Sequence, residues 1–171
     1  MSKIAVLSKE ISELIAAGEV IERPASVVKE LIENAIDAEA KHITVEIKHG
    51  GTTYMRVADD GSGIAADDVP TAFFRHATSK IHERKDLESI YTLGFRGEAL
   101  ASIAAVSKVT LLTKRREDDY GTHYEMIGGT PTGEPEQGGC PDGTTILIRD
   151  LFFNVPVRQR FMKKDVTEAN A

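Results

Sequence analysis

Residues 24–63 read PASVVKELIENAIDAEAKHITVEIKHGGTTYMRVADDGSG, and their periodicity changes once, from helical to alternating. Between Val27 and Ala38 the apolar residues Val28, Leu31, Ile32, Ala35 and Ile36 gather on one side of a wheel turned about 100° per residue, which predicts an amphipathic helix. Pro24-Ala25-Ser26 announces its start, because proline is favoured in a first helical turn. Ile43, Val45 and Ile47 then alternate strictly, Gly50-Gly51 marks a turn, and Met55 and Val57 begin a second strand. That is a hairpin signal. A helix running straight into an antiparallel pair predicts an α+β domain.

Working outward, residues 9–16 read as a short helix with Ile11, Leu14 and Ile15 on one side, Ser8 as N-cap and Gly18 as stop. Residues 66–74 and 85–91 read as short helices, and 97–105 as a helix with Ala99, Leu100, Ile103 and Ala104 toward the core. Three further strands are expected at Lys108–Lys114, Thr122–Ile127 and Thr144–Asp150, with a Gly- and Pro-rich surface loop over 128–143 and a last helix over Pro156–Lys164. The sum is a mixed sheet covered on one face by helices. Residues 74–98 are polar, irregular and glycine-marked, the composition of a mobile lid.

The composition bounds the function. The 171 residues suit one ordinary domain, read as 1–171, with 41% hydrophobic and 28% charged residues, as in a soluble globular protein. No apolar run reaches membrane-spanning length, which argues against a membrane partner. The lone Cys140 cannot form an intrachain disulfide, in keeping with a reducing, intracellular compartment. A net charge of −6 excludes a surface that is basic all over, though not a local basic patch.

Three stretches carry chemistry. Glu30, Asn34 and Asp37 form a narrow stripe at i, i+4 and i+7, expected opposite the apolar face. Asparagine is a poor mid-helix residue, and two carboxylates flanking an amide make an all-oxygen cluster suited to a hard cation such as Mg²⁺. A carboxylate there can also act as a general base. A plain solvated face is the alternative. In Asp59-Asp60-Gly61-Ser62-Gly63 an acid ends a strand and two glycines let backbone approach a ligand; an ordinary turn reads the same way. Gly94-Phe95-Arg96-Gly97-Glu98-Ala99-Leu100 bares backbone N–H groups at a helix start, where an anion binds well, unless it is only a tight loop into a buried helix.

In this order, followed by Gly143-Thr144-Thr145, these stretches resemble the GHKL ATPase superfamily. The wording of residues 15–31, of Arg75-His76-Ala77-Thr78-Ser79-Lys80, of GFRGEALASI and of Asp150 to Arg158 is similar to its MutL mismatch-repair family. The resemblance runs from about residue 4 to residue 164 and implies a two-layer α/β sandwich, a site for ATP and Mg²⁺, and weak Mg²⁺-dependent ATPase activity. It implies Glu30 as the base that activates water, Asn34 as the Mg²⁺-coordinating residue, and Asp59 as the acid that bonds the adenine amine, with Thr144 supporting that end. Thr78, Ser79, Lys80, Gly94, Phe95, Arg96, Gly97 and Glu98 match lid segments that wrap the triphosphate.

The same resemblance implies ATP-driven N-terminal dimerisation, with a second copy or a paralogue, and signalling to mismatch-repair proteins such as a MutS-type mismatch recogniser, in a bacterial cytoplasm or a eukaryotic nucleus. It also implies a following domain that supplies a lysine to the γ-phosphate, so the chain reads as the ATP-binding part of a longer protein. Asp60 departs from the asparagine that many relatives carry after the adenine-binding acid, leaving open an effect on affinity or a solvent-facing role. Arg158, Arg160, Lys163 and Lys164 are candidates for weak, non-specific contact with DNA phosphates, with a solvated helix face or packing against a following domain as the alternatives.

Overall fold

Helix α1 (Pro24–Asp37) opens on proline, behind an extended Arg23, and closes where the Ala38 N–H reaches the Asn34 carbonyl at 3.0 Å. In this computed structural model, which describes residues 5–9, 11, 12, 15, 21–74 and 99–160, α1 buries Pro24, Val27, Leu31 and Ala35. The buried face is therefore rotated from the expected one. Val28 packs only partly, and Ile36 is 50% exposed.

Strands β1 (Ile43–Lys48) and β2 (Tyr54–Asp59) form the expected hairpin. Helix α2 (Ala99–Ala105) leads into β3 (Lys108–Lys114) and β4 (Gly121–Ile127), followed by the short β5 (Thr130–Pro131) and β6 (Glu136–Gly138), then β7 (Gly143–Arg149) and helix α3 (Pro156–Arg160). The sheet order is β1-β2-β7-β3-β4-β5, with β6 also on β4, and every pairing described is antiparallel. Helices cover one face, the two-layer α+β arrangement expected.

Two apolar rows cross five strands in register on the covered face: Ile47–Met55–Ile148–Val109–Met126 and Val45–Val57–Ile146–Leu111–Tyr124. In each row the β1 residue is the exposed one, because β1 is the sheet edge, and the other four are buried. The core is completed by Ile21, Val27 and Leu31 from one side and by Ile103, Ala104 and Val106 from the other. One register step further, apolar gives way to polar: Ile43–Asp59–Thr144–Thr113–Thr122. That row is where the candidate site lies.

Residues 150–155 fasten α2 to the sheet. The Phe152 N–H donates to the Val106 carbonyl at 2.7 Å and the Asn154 amide to the Ala105 carbonyl at 2.8 Å, capping the helix C-terminus.

Some elements differ from expectation. Residues 66–74 form two 3₁₀ turns, Ala66–Asp68 and Thr71–Phe73, because Pro70 between them lacks the N–H that would continue a helix. The loop 128–143 contains β5 and β6: Gly128-Gly129 reverses the chain so that Pro131 pairs with Met126 on a sheet edge, where proline is tolerated. Strand β7 ends at Arg149, one residue early, because Asp150 takes a left-handed φ of 50°. Of the helix expected at 9–16, residues 9, 11, 12 and 15 are helical, and the Ser8 hydroxyl accepts the Ile11 N–H at 3.3 Å as a cap. Its Ile11 and Ile15 are about half exposed (48% and 51%). The helix expected at 85–91, residues 97 and 98 of the next, and residues 161–164 of the last lie outside the described residues.

Candidate functional site

Asp59 closes β2 directly opposite Thr144 of β7. Its Oδ1 accepts the Gly61 N–H at 2.8 Å, and the Thr144 backbone N–H also bonds to it. Burial outweighs these bonds and pushes the carboxyl above its ordinary value, with the neighbouring Asp60 charge adding to the rise. A half-buried carboxylate ringed by backbone is a strong acceptor for an amine donor.

Glycine lets the backbone close up around this acceptor. At Gly143 (φ 105°) a Cβ would collide with the Asp59 carbonyl oxygen, and at Gly63 (φ 70°) with the Lys114 carbonyl. Both conformations lie in the left-handed region that side chains resist. The loop thus presses onto the ends of β3 and β7, and the Ser62 N–H seats it on α1 by donating to the Ala38 carbonyl at 2.9 Å.

From Ala38 the helix leads back to the polar stripe. At 1.5 Å rise per residue, Asn34 stands about 6 Å from that junction along the axis and Glu30 about 12 Å. Glu30, Asn34 and Asp37 are all half-buried, on the flank of the core face rather than opposite it. The rotation of α1 explains this shift. The arrangement sets a half-buried acceptor at one end and a line of oxygen groups leading away from it, a shape suited to an elongated ligand with an amine at one end and a cation-bound anion further along.

Asp60 has a structural task. Its Oδ1 accepts the backbone N–H groups of Lys41 (2.7 Å) and His42 (2.9 Å), and its Oδ2 pairs with His42 Nδ1 at 2.8 Å. These His42 and Lys41 bonds hold its carboxyl well below the usual carboxylate range. The residue fastens the entry to β1.

Thr113 escaped the sequence reading. It is 1% exposed, and its Oγ1 accepts the Ile64 N–H at 2.9 Å while lying 2.9 Å from Thr144 Oγ1 and 3.2 Å from the Gly143 carbonyl. The available signal was a hydroxyl at the third core-facing position of the alternation Val109, Leu111, Thr113.

Thr78, Ser79, Lys80 and Gly94 through Glu98 lie outside the described residues, as do Lys163 and Lys164. Arg158 stacks over the Phe152 ring at 5.9 Å, and Arg160 is exposed. Among the described residues no group of three or more His, Cys, Asp or Glu side chains gathers to hold a metal, and no helix is long and apolar enough to cross a membrane.

Residues 21–127 match the family model of the histidine kinase-, DNA gyrase B- and HSP90-like ATPases. The DNA mismatch repair protein MutL of Agathobacter rectalis is 53% identical over 170 residues, covering 99% of this chain and 26% of the relative. That of Caldanaerobacter subterraneus is 54% identical over 169 residues, 99% of this chain and 28% of the relative. The chain thus spans about a quarter of the length of these curated relatives. Among solved structures, the Aquifex aeolicus MutL ATPase domain complexed with ADP aligns with a TM-score of 0.69 at 37% identity, covering 88% of this chain and 52% of that one. The N-terminal domain of a DNA repair protein aligns with a TM-score of 0.71 at 33% identity, covering 86% and 41%.

Proposed function

Because this chain belongs to the histidine kinase-, DNA gyrase B- and HSP90-like ATPase family, on its MutL branch, we propose that it binds ATP with Mg²⁺ and hydrolyses it slowly as the nucleotide switch of a DNA mismatch repair protein. The observation that carries this reading is the Asp59 carboxylate, ringed by backbone at the head of a polar stripe. It takes the adenine amine, and Thr144 supports the same end. Glycine at 143 lets the start of β7 close against the Asp59 backbone, which sets Thr144 beside that carboxylate.

The donor set suits Mg²⁺. That ion keeps several waters and takes one or two protein oxygens plus substrate phosphates, so the single amide oxygen of Asn34 is sufficient protein ligation. When bound, it supplies charge neutralisation across the phosphate oxygens. Glu30 holds a water and accepts its proton as the water attacks the γ-phosphorus and the bond to the β,γ-bridging oxygen breaks, leaving ADP and phosphate. Thr78, Ser79, Lys80 and the Gly94–Glu98 segment wrap the triphosphate in this reading, as the lid. Slow turnover is in keeping with phosphoryl transfer carried by positioning and electrostatics.

In the whole protein, ATP binding drives pairing with a second copy or a paralogue, and the closed state signals to mismatch-repair partners such as a MutS-type recogniser inside the cell. Any contact with DNA is weak and non-specific. Calorimetry with and without Mg²⁺ tests the core of the reading. Wild type should bind ATP more tightly with Mg²⁺, and Asn34→Ala should lose that increment while keeping metal-free binding. Equal Mg²⁺ enhancement in the variant would remove Asn34 from its role, and no ATP binding by wild type would refute the reading.

A further inference from the structure

Thr113 touches no catalytic group and sits under the proposed base site, on the side of Thr144 away from Asp59. A hydroxyl has one proton to donate and two lone pairs to accept with. One lone pair of Thr113 Oγ1 takes the Ile64 N–H at 2.9 Å. Its proton and its second lone pair then face two neighbours, the Gly143 carbonyl at 3.2 Å and Thr144 Oγ1 at 2.9 Å. The carbonyl can only accept. If the Thr113 proton goes there, Thr144 must donate back to Thr113 and turns lone pairs toward the ligand. If it goes to Thr144, the Thr144 proton is released toward the ligand. The geometry favours the second arrangement, since 2.9 Å lies within the O–H···O range and 3.2 Å lies beyond it.

We propose that Thr113 is the residue that sets base specificity from beneath the site, by fixing the Thr144 hydroxyl as a donor beside the acceptor Asp59. An acceptor next to a donor matches the amine and ring nitrogen on the Watson–Crick edge of adenine. Guanine presents the reverse order, a carbonyl oxygen and a ring N–H. The same hydroxyl joins two pieces that shape the base end: the 59–64 loop through Ile64 and the Thr144 side chain. Being fully buried, it has no competing partner in water. The inference rests on the nucleotide reading of Asp59 given above and adds to it the residue that orients the second contact.

Calorimetry with ATP, GTP and inorganic tripolyphosphate, on wild type, Thr113→Val and Thr113→Ser, tests it. Valine keeps the shape and removes the hydroxyl. Loss of one well-formed hydrogen bond should weaken ATP about tenfold and narrow the preference over GTP by a similar factor, leaving tripolyphosphate affinity unchanged. Serine should restore both. Wild-type ATP affinity and wild-type preference in Thr113→Val would overturn the inference while the nucleotide reading stands. A wild-type protein with no preference between ATP and GTP would instead sink the adenine role of Asp59, and this inference with it. Should the valine variant not fold, the Ile64 amide of wild type decides. Its hydrogen exchange should slow with ATP and not with tripolyphosphate, and equal exchange under both would overturn the inference.

Discussion

Asp59 and Asp60 are adjacent in sequence, yet burial raises one carboxyl and hydrogen bonds lower the other. The consequences for stability have opposite signs. Asp60 titrates lower in the folded chain than in the unfolded one, so its contribution is present above its ordinary value near 4 and is lost as pH falls below that. Asp59 titrates higher when folded, so ionising it costs stability as pH rises from that ordinary value through its raised folded one. Urea midpoints measured from pH 3 to 7 should therefore show a shallower acid limb for Asp60→Asn than for wild type. Asp59→Asn should leave the ligand-free chain equally or more stable at pH 7 while abolishing its preference for ATP. An unchanged acid limb in the first variant would mean that the His42 and Lys41 bonds do not form in solution. At this scale the sequence identified Asp59 by its place at a strand end before two glycines. It could not separate Asp60 from it, because the partners of Asp60 lie eighteen and nineteen residues away. Thr113 was hidden for a similar reason. Its significance comes from the register of β3 with β7, which no local pattern specifies.

Among the elements, those written in strong periodicity were legible: the helix before the hairpin, the hairpin itself, and the strands with Val109 and Leu111 or Ile146 and Ile148 facing inward. The rotation of α1 was not, because Val27, Leu31 and Ala35 form as good an apolar line as the one expected, and it is that line, with Pro24, that is buried. β5 and β6 were missed because two- and three-residue edge strands depend on β4 as a template. Two substitutions test how the elements hold the site. Phe152 is a large side chain that is 1% exposed and sits where the 150–155 segment meets the end of α2, so Phe152→Ala should cost about 3–5 kcal/mol in chemical denaturation. Gly143→Ala places a methyl against the Asp59 carbonyl at a left-handed φ, which costs at least about 1–2 kcal/mol for the backbone conformation alone. It should also weaken ATP binding, by displacing Thr144. An alanine variant with wild-type stability and affinity would show that the Asp59–Gly143 approach is loose enough to admit a methyl group.

Across the whole molecule, the sheet divides the work: its covered face makes the core, and the polar end of that same face makes the candidate site. Binding and turnover belong to different parts of that site, and they separate by mutation. Glu30 acts on water alone in this account, so Glu30→Ala should keep ATP affinity within about twofold while hydrolysis falls by about 10² to 10⁴. Phosphate-release assays alongside calorimetry read both, and a parallel loss of binding and turnover would place Glu30 in contact with nucleotide instead. The central claim is where the nucleotide sits. Amide chemical shifts of the ¹⁵N-labelled chain, followed through a titration with ATP and Mg²⁺, locate it residue by residue. The account predicts shifts at Asn34, from Asp59 to Ile64, and at Thr113 and Thr144, with Tyr54, Lys108 and Arg149 on the opposite face of the sheet unmoved. Shifts confined to that opposite face, or none at saturating nucleotide, would contradict it.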